Sequence, residues 1–291
     1  SLGVTAAHYP IVGEHLLGAI KQVLGEAATP ELIAAWAEAY GILAQALIDE
    51  EQRLYTNAGI QPGDLFDMKV TAIEQESEQV KSFTLVPQDG AAIPSFRPGQ
   101  YVSVAVHLAN GLRQLRQYSL SDAPDHRHLR ISVKREVAGK ETPAGMVSNW
   151  LHDNVQVGSV LPVSKPFGDF TPDTDGEGPI VLLSAGVGIT PMISALNRIA
   201  YVAPQRRVIF AHAARNARHH PHRADIAKAA ALMPNLQNVT FYEEEDAAQE
   251  NDAVLPGRMQ LKKLPQWDVA NTKVYMCGPL PFMQAQWADL V

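Results

Sequence analysis

Apolar positions along the chain change their spacing twice, and each change marks a different kind of structure. From residue 8 to 57 the period is helical: Leu16, Leu17, Ile20, Val23 and Leu24 form one run, and Ile33, Trp36, Tyr40, Leu43 and Leu47 another. Between them Thr29 is a natural N-cap and Pro30 suits the first helical position, so a second helix is expected to start there. It is expected to end around Tyr55, ahead of Asn57, Gly59 and Pro62. Two amphipathic helices are too few to enclose a large core. From residue 64 to 172 short segments rich in β-branched and aromatic residues take over, among them FDMKVTAI, VKSFTLV, GQYVSVAVH, RQYSLS, LRISVKRE and GSVLPVS. Turn signals such as Arg97-Pro98-Gly99 separate them, which predicts a closed antiparallel barrel with one short helix near Gly145 to His152. From 178 to 291 apolar strands alternate with helices, beginning with PIVLLSAG and PMISALNRIA, as in a doubly wound parallel sheet. The predicted chain is thus multidomain, α+β and α/β, with parts at 1–57, 64–172 and 178–291.

Composition narrows the function classes. Hydrophobic residues make up 46% and charged residues 19%, ordinary values for a globular protein. A formal charge of −7 without a basic run argues against a nucleic-acid partner. No unbroken apolar run reaches the ~18 residues of a membrane span, and SLGVTAAHYP has neither the basic start nor the apolar core of a secretion signal. The one cysteine, Cys277, excludes an internal disulfide and an iron–sulfur cluster held by four thiolates. A cytoplasmic location is expected.

Four motifs carry candidate chemistry. In Ser184-Ala185-Gly186-Val187-Gly188-Ile189-Thr190-Pro191 a buried strand runs into two glycines and then a Thr-Pro, with Thr190 as expected N-cap and Pro191 in the first turn. Glycine lets backbone approach a phosphate, and free amides at a helix start attract one. A tight strand–helix turn without a ligand is the alternative. In Arg116-Gln117-Tyr118-Ser119, alternation places Arg116 and Tyr118 on one strand face, where a guanidinium and a ring suit a phosphate joined to a flat heterocycle. Taken alone, an ordinary exposed strand explains that motif better. In Gly145-Met146-Val147-Ser148 a helix start could hold a pyrophosphate or merely plug a barrel end. Cys277-Gly278-Pro279 ends a strand, where open α/β sheets bind ligands, although a buried inert cysteine explains it as simply.

Taken together and in this order, the motifs resemble the ferredoxin–NADP reductase superfamily, whose flavin barrel carries R-x-Y-S and whose nicotinamide domain carries G-x-G-x-T-P and C-G-P. The resemblance covers residues 64–291. The stretches Tyr9 to Leu17, Trp36 to Gly41 and Glu50 to Tyr55 are similar to the C-terminal half of a flavohaemoprotein globin, so the whole resembles the bacterial flavohaemoglobin family, nitric oxide dioxygenases. That resemblance implies FAD, NAD(P)H and, in the intact protein, haem b, with NO, O2 and NAD(P)H as small-molecule partners and a monomeric state. It assigns flavin contacts to Tyr101, Arg116, Gln117, Tyr118 and Ser119, with Tyr118 stacked on the isoalloxazine and Ser119 near the reacting nitrogen. Gly145, Met146, Val147 and Ser148 would hold the flavin pyrophosphate. Gly186, Val187, Gly188, Ile189, Thr190 and Pro191 would hold the nicotinamide phosphates, with Cys277, Gly278 and Pro279 near the nicotinamide ring. Tyr9 and Glu51 match the pair that polarises the proximal haem ligand.

The family's proximal histidine would precede Ser1, and its terminal aromatic-Gly-Pro segment is absent, so the chain is expected to be a piece of a larger protein without a metal ligand of its own. His219-His220-Pro221-His222, among Arg215, Arg218 and Arg223, reads as an exposed loop rather than a metal site, and Glu243 to Asp246 as a solvated face. Arg215 could read a 2′-phosphate, which leaves NADH against NADPH open. Two other functions compete with the dioxygenase. One is a stand-alone flavin reductase serving a separate oxygenase or carrier, which the globin-like helices oppose. The other is a haem-globin sensor, which the intact reductase motifs oppose.

Overall fold

The computed structural model describes residues 5–59, 61, 63–108, 111–124, 127–140, 142–244 and 254–290. Two compact units result, Ser1–Leu65 and Phe66–Val291.

In the first unit, α1 (Tyr9–Leu24) and α2 (Pro30–Ala58) pair. Thr29 caps α2 as its position predicts, its hydroxyl accepting from Leu32 N at 3.3 Å. The helix runs past Tyr55 to Ala58, since nothing before Gly59 breaks it; Gly59 closes it at φ 62°, a left-handed conformation suited to glycine. Tyr40 ties the helices by donating to the Tyr9 carbonyl at 2.6 Å. Only Gly13, Ala44 and Tyr55 are buried among the described residues of this unit, while Ile11, Trp36, Ile42, Leu43 and Leu47 are exposed. By length and composition alone, α2 over Pro30–Asn57 is apolar enough to cross a membrane. The sequence predicts no such span because no unbroken apolar run reaches that length; Glu31, Glu38, Gln45 and Asp49 divide the helix, and its mean hydropathy averages over them.

The second unit begins with a six-stranded antiparallel sheet: β1 (Phe66–Ser77), β2 (Val80–Pro87), β3 (Tyr101–His107), β4 (Arg113–Ser119), β5 (Leu129–Lys134) and β6 (Val160–Val163). Its order is β4-β3-β6-β1-β2-β5. The sheet curls until Leu120, just past β4, bridges Ile131 of β5, and Ser121 N donates to the Arg130 carbonyl at 2.8 Å across the same seam. Phe83, Leu85, Val102, Leu120 and Ile131 fill the interior, and α3 (Met146–Asn154) packs Val147 and Leu151 into it.

The remainder is a parallel sheet of β7 (Ile180–Ala185), β8 (Val208–Ala214), β9 (Leu236–Tyr242), β10 (Val254–Pro256) and β11 (Lys273–Cys277), in the order β10-β9-β8-β7-β11. Helices α4 (Ile189–Val202), α5 (Arg223–Leu232) and α6 (Leu280–Leu290) flank it. The chain reverses direction across the sheet at β7, between β8 and β11, which makes the carboxyl end of β7 the switch point where such sheets bind ligands.

Candidate active site

One wall of a cleft comes from the barrel. Tyr118 on β4 packs its ring against the barrel core, and burial pushes its phenol up to about 12; the nearby Arg116 opposes that shift and Glu136 adds to it. The phenol is therefore a neutral donor at ordinary pH. Arg116 donates to the Leu115 carbonyl at 2.7 Å and meets no carboxylate among the described residues. Beside this strand α3 begins at Gly145, which leaves the helix without a side-chain cap, so its first amides and its positive end are open to an anion. Ser148 fixes the turn, donating to the Gly145 carbonyl and accepting from Glu136 N, each at 3.2 Å.

The facing wall comes from the parallel sheet. At the end of β7, Gly186 takes φ 54° and the turn Gly186–Gly188 runs straight into α4. A Cβ at Gly188 would lie 2.7 Å from Gly278 Cα and against the Cys277 carbonyl, so only glycine lets this turn sit beside Cys277-Gly278-Pro279. Thr190 is not the expected N-cap. The chain is already helical at Ile189, Gly188 occupies the capping position, and the Thr190 hydroxyl donates to the Val187 carbonyl at 3.0 Å. The uncapped start of α4 leaves free amides, as at α3. Burial raises the Cys277 thiol above its usual range, so it stays protonated.

These walls enclose a cleft of about 660 Å3, within the range of small-molecule sites. Arg116, Gln117, Tyr118, Ser119, Gly145, Met146, Val147, Ser148, Gly186, Val187, Gly188, Thr190, Cys277, Gly278 and Pro279 all line it. Tyr101, Ile189 and Pro191 do not: Tyr101 pairs with Ser119 one strand back, and Ile189 and Pro191 are buried in α4. Ser132, Lys134 and Glu136 line the cleft without having been singled out from the sequence. Their alternate spacing in Leu129 to Glu136 was the available signal. An adjoining hollow carries Arg215, Glu243 and Arg258, with Arg215 3.9 Å from Glu244 and Arg258 3.2 Å from Glu243. Glu245 and Asp246 of the acidic stretch lie outside the described residues. In the first unit burial, then the neighbouring Glu51 carboxylate, raise the Tyr9 phenol above its usual range.

The histidine stretch departs from the expected exposed loop. His220 is 3% exposed and His222 0%, because the segment folds under the barrel instead of into solvent. His220 meets the Tyr242 hydroxyl at 3.0 Å, and His222 meets Ser132 of β5 at 3.0 Å. A local pattern of prolines and arginines cannot reveal a partner from another domain.

Comparison with known proteins agrees with this geometry. Residues 67–171 match the oxidoreductase FAD-binding domain family, residues 182–287 the oxidoreductase NAD-binding domain family, and residues 1–47 the globin family. The Bordetella pertussis flavohemoprotein is 48% identical over 98% of this chain and 72% of its own length. This chain belongs to the flavohaemoproteins. A flavohaemoprotein crystal structure from Malassezia yamatoensis, with bound FAD and heme, superposes with a TM-score of 0.81 at 30% identity, over 99% of this chain and 72% of that one. The flavohem-like FAD/NAD binding domain of nitric oxide dioxygenase from Vibrio cholerae superposes at 0.72 and 38% identity, covering 78% of this chain and 92% of that domain. As a flavohaemoprotein the chain is an oxidoreductase with FAD- and NAD-binding domains. Its donors fit those cofactors: two uncapped helix starts and an arginine with no carboxylate partner among the described residues suit diphosphates, and the half-buried Tyr118 suits a flat ring.

Proposed function

We propose that this protein passes electrons from NAD(P)H through FAD to haem and thereby converts nitric oxide and O2 to nitrate. The observation that carries the reading is the cleft itself, where a flavin-type wall and a nicotinamide-type wall face each other in a chain whose first 47 residues match the globin family.

In the cleft, Arg116 and the first amides of α3 would hold the flavin diphosphate, while Tyr118 orients the ring and keeps its phenolic proton. Ser119, at the end of β4, would supply a hydroxyl beside the reacting edge. The Gly186–Gly188 turn and the start of α4 would hold the nicotinamide diphosphate, and the close fit of Gly188 against Gly278 keeps water from that corner. Bound flavin takes two electrons as hydride and releases them singly, the match a one-electron iron centre requires. The described residues of the first unit bury only Gly13, Ala44 and Tyr55, so they do not by themselves form a haem pocket. The Tyr9–Glu51 pair is assigned to orient the iron's proximal ligand within the intact protein. One NAD(P)H carries two electrons and so supports two conversions, each consuming one NO and one O2. A cytoplasmic monomer acting on these small molecules completes the proposal.

The test is nitrate formation by the purified protein with NADH and O2, with and without nitric oxide. Nitrate in step with NADH consumed supports the reading. Rapid flavin reduction without NO-dependent nitrate would leave only a reductase.

A further inference from the structure

Where the nicotinamide domain meets the flavin barrel, the joint is polar and buried. Asn197 of α4 donates to Asp122 Oδ1 at 2.8 Å and Ser194 donates to the Asp122 carbonyl at 2.6 Å. Arg130 of β5 donates to Asp225 Oδ2 of α5 at 3.0 Å, and Glu78 N donates to the Arg218 carbonyl at 2.9 Å. His222 sits at the centre. Its Nδ1 lies 2.8 Å from Asp225 Oδ2 and 3.6 Å from the Glu76 carboxylate, and its Nε2 lies 3.0 Å from Ser132 Oγ. Ser132 in turn contacts Ser82 at 2.8 Å and Ser121 at 2.7 Å, and Ser82 donates to Glu76 at 2.6 Å.

Two features make this more than a satisfied histidine. First, His222 holds φ 62°, the only positive φ of a non-glycine among the described residues. Such a conformation persists where the surroundings over-determine it. Second, Ser132 is itself part of the cleft wall. The contact chain therefore runs from the cleft wall on β5, through one imidazole, to the N-terminus of α5 on the other domain. Ser82, Ser132 and His222 thus form a continuous run of hydrogen-bonding side chains from the Glu76 carboxylate to that of Asp225. Burial would raise Asp225, but the His222 hydrogen bond and the Arg130 charge hold it below the usual carboxylate range.

Glu76, His222 and Asp225 also lie close enough to one another for a cation. The Arg130 guanidinium already supplies positive charge to Asp225, and a direct 2.8 Å bond joins the two groups that would be ligands. The cluster is a hydrogen-bonded joint.

We propose that His222 is a positioning residue for hydride transfer: by pinning α5 to β5 through Ser132, it fixes the spacing of the two cleft walls. The inference rests on the FAD and NAD(P)H chemistry and not on the haem reaction. Reactivity falls steeply when donor and acceptor drift by an ångström, whereas binding at the phosphate turns, away from this joint, does not.

The test uses the FAD-loaded full chain, with flavin bleaching by NADH followed in a stopped-flow instrument. His222→Asn keeps a residue that tolerates the left-handed conformation but does not reach Ser132. Its limiting reduction rate is expected to fall about tenfold, with the half-saturating NADH concentration changed by less than about twofold. His222→Gln, whose amide reaches toward Ser132, is expected to restore most of the rate. Independently of NADH, amide hydrogen exchange should quicken in residues 217–226 and 129–134 of the Asn variant. An unchanged limiting rate, or a loss confined to NADH affinity, overturns the proposal. Should the Asn variant fail to fold, Ser132→Ala decides it, since it cuts the same link from the barrel side and must show the same split between rate and affinity. Because the readout precedes haem, failure of the nitric oxide reading leaves this result intact.

Discussion

The two walls of the cleft solve one problem, holding a phosphorylated heterocycle, by different means. The barrel wall uses side chains: Arg116 and Tyr118 project from β4 beside the uncapped start of α3. The sheet wall uses backbone, since Gly186 and Gly188 contribute shape and free amides but no functional group. The barrel wall should therefore fail when a functional group is removed, and the sheet wall when an atom is added.

The largest expected effect follows from the second half of that contrast. Gly188→Ala places a methyl 2.7 Å from Gly278 Cα, so backbone must move. NAD(P)H-dependent flavin reduction should fall about 100-fold while FAD remains bound, measured by stopped-flow absorbance and flavin content. Next, Arg116→Ala should weaken FAD binding about 10- to 100-fold, the loss of charge-assisted hydrogen bonds worth ~1.5–3 kcal/mol, with Tyr118→Ala in the same range. His220→Ala should leave retention unchanged, because His220 is buried at the joint with Tyr242 and does not line the cleft. Equal flavin retention in all three variants, after gel filtration, would erase the contrast between the walls.

A smaller effect concerns acid. Burial, helped by the nearby Arg223 and His222 charges, lowers His220 to about 3 from an ordinary 6.5, and burial likewise lowers His212. A depressed folded value means the unfolded chain binds protons first. Stability is then complete above about pH 6.5 and is lost as pH falls toward 3. Urea midpoints at pH 7 and pH 5 should differ in the native protein, and His220→Gln should narrow the difference. The smallest effect is expected at Cys277→Ser. A thiol kept protonated by burial is no nucleophile, so flavin reduction should change by less than about threefold.

Much of the scaffold could be read from the chain. Thr29-Pro30 announces the start of α2, and short segments rich in β-branched and aromatic residues such as VKSFTLV and LRISVKRE announce β2 and β5, because caps and strand preference are local consequences of residue type. The glycine turn, the R-x-Y-S strand and Cys277-Gly278-Pro279 were legible as candidates for the same reason. Local rules misplaced Thr190, because the Gly186–Gly188 turn starts the helix two residues earlier than a threonine cap would. They also misread His220 and His222, whose surroundings come from β9 and β5, with Ser132 90 residues away from His222.

The sequence by itself determined the order of elements, the three composition zones and the identity of the groups that could meet phosphate. Each follows from short-range sterics and periodic burial along a continuous stretch. Only the tertiary structure decided that β4, α3, the β7–α4 turn and the end of β11 share one cleft, and that a proline-flanked histidine segment is a buried joint. Those facts depend on desolvation and hydrogen bonding between residues far apart in the chain, and such free energies exist only once the domains are packed.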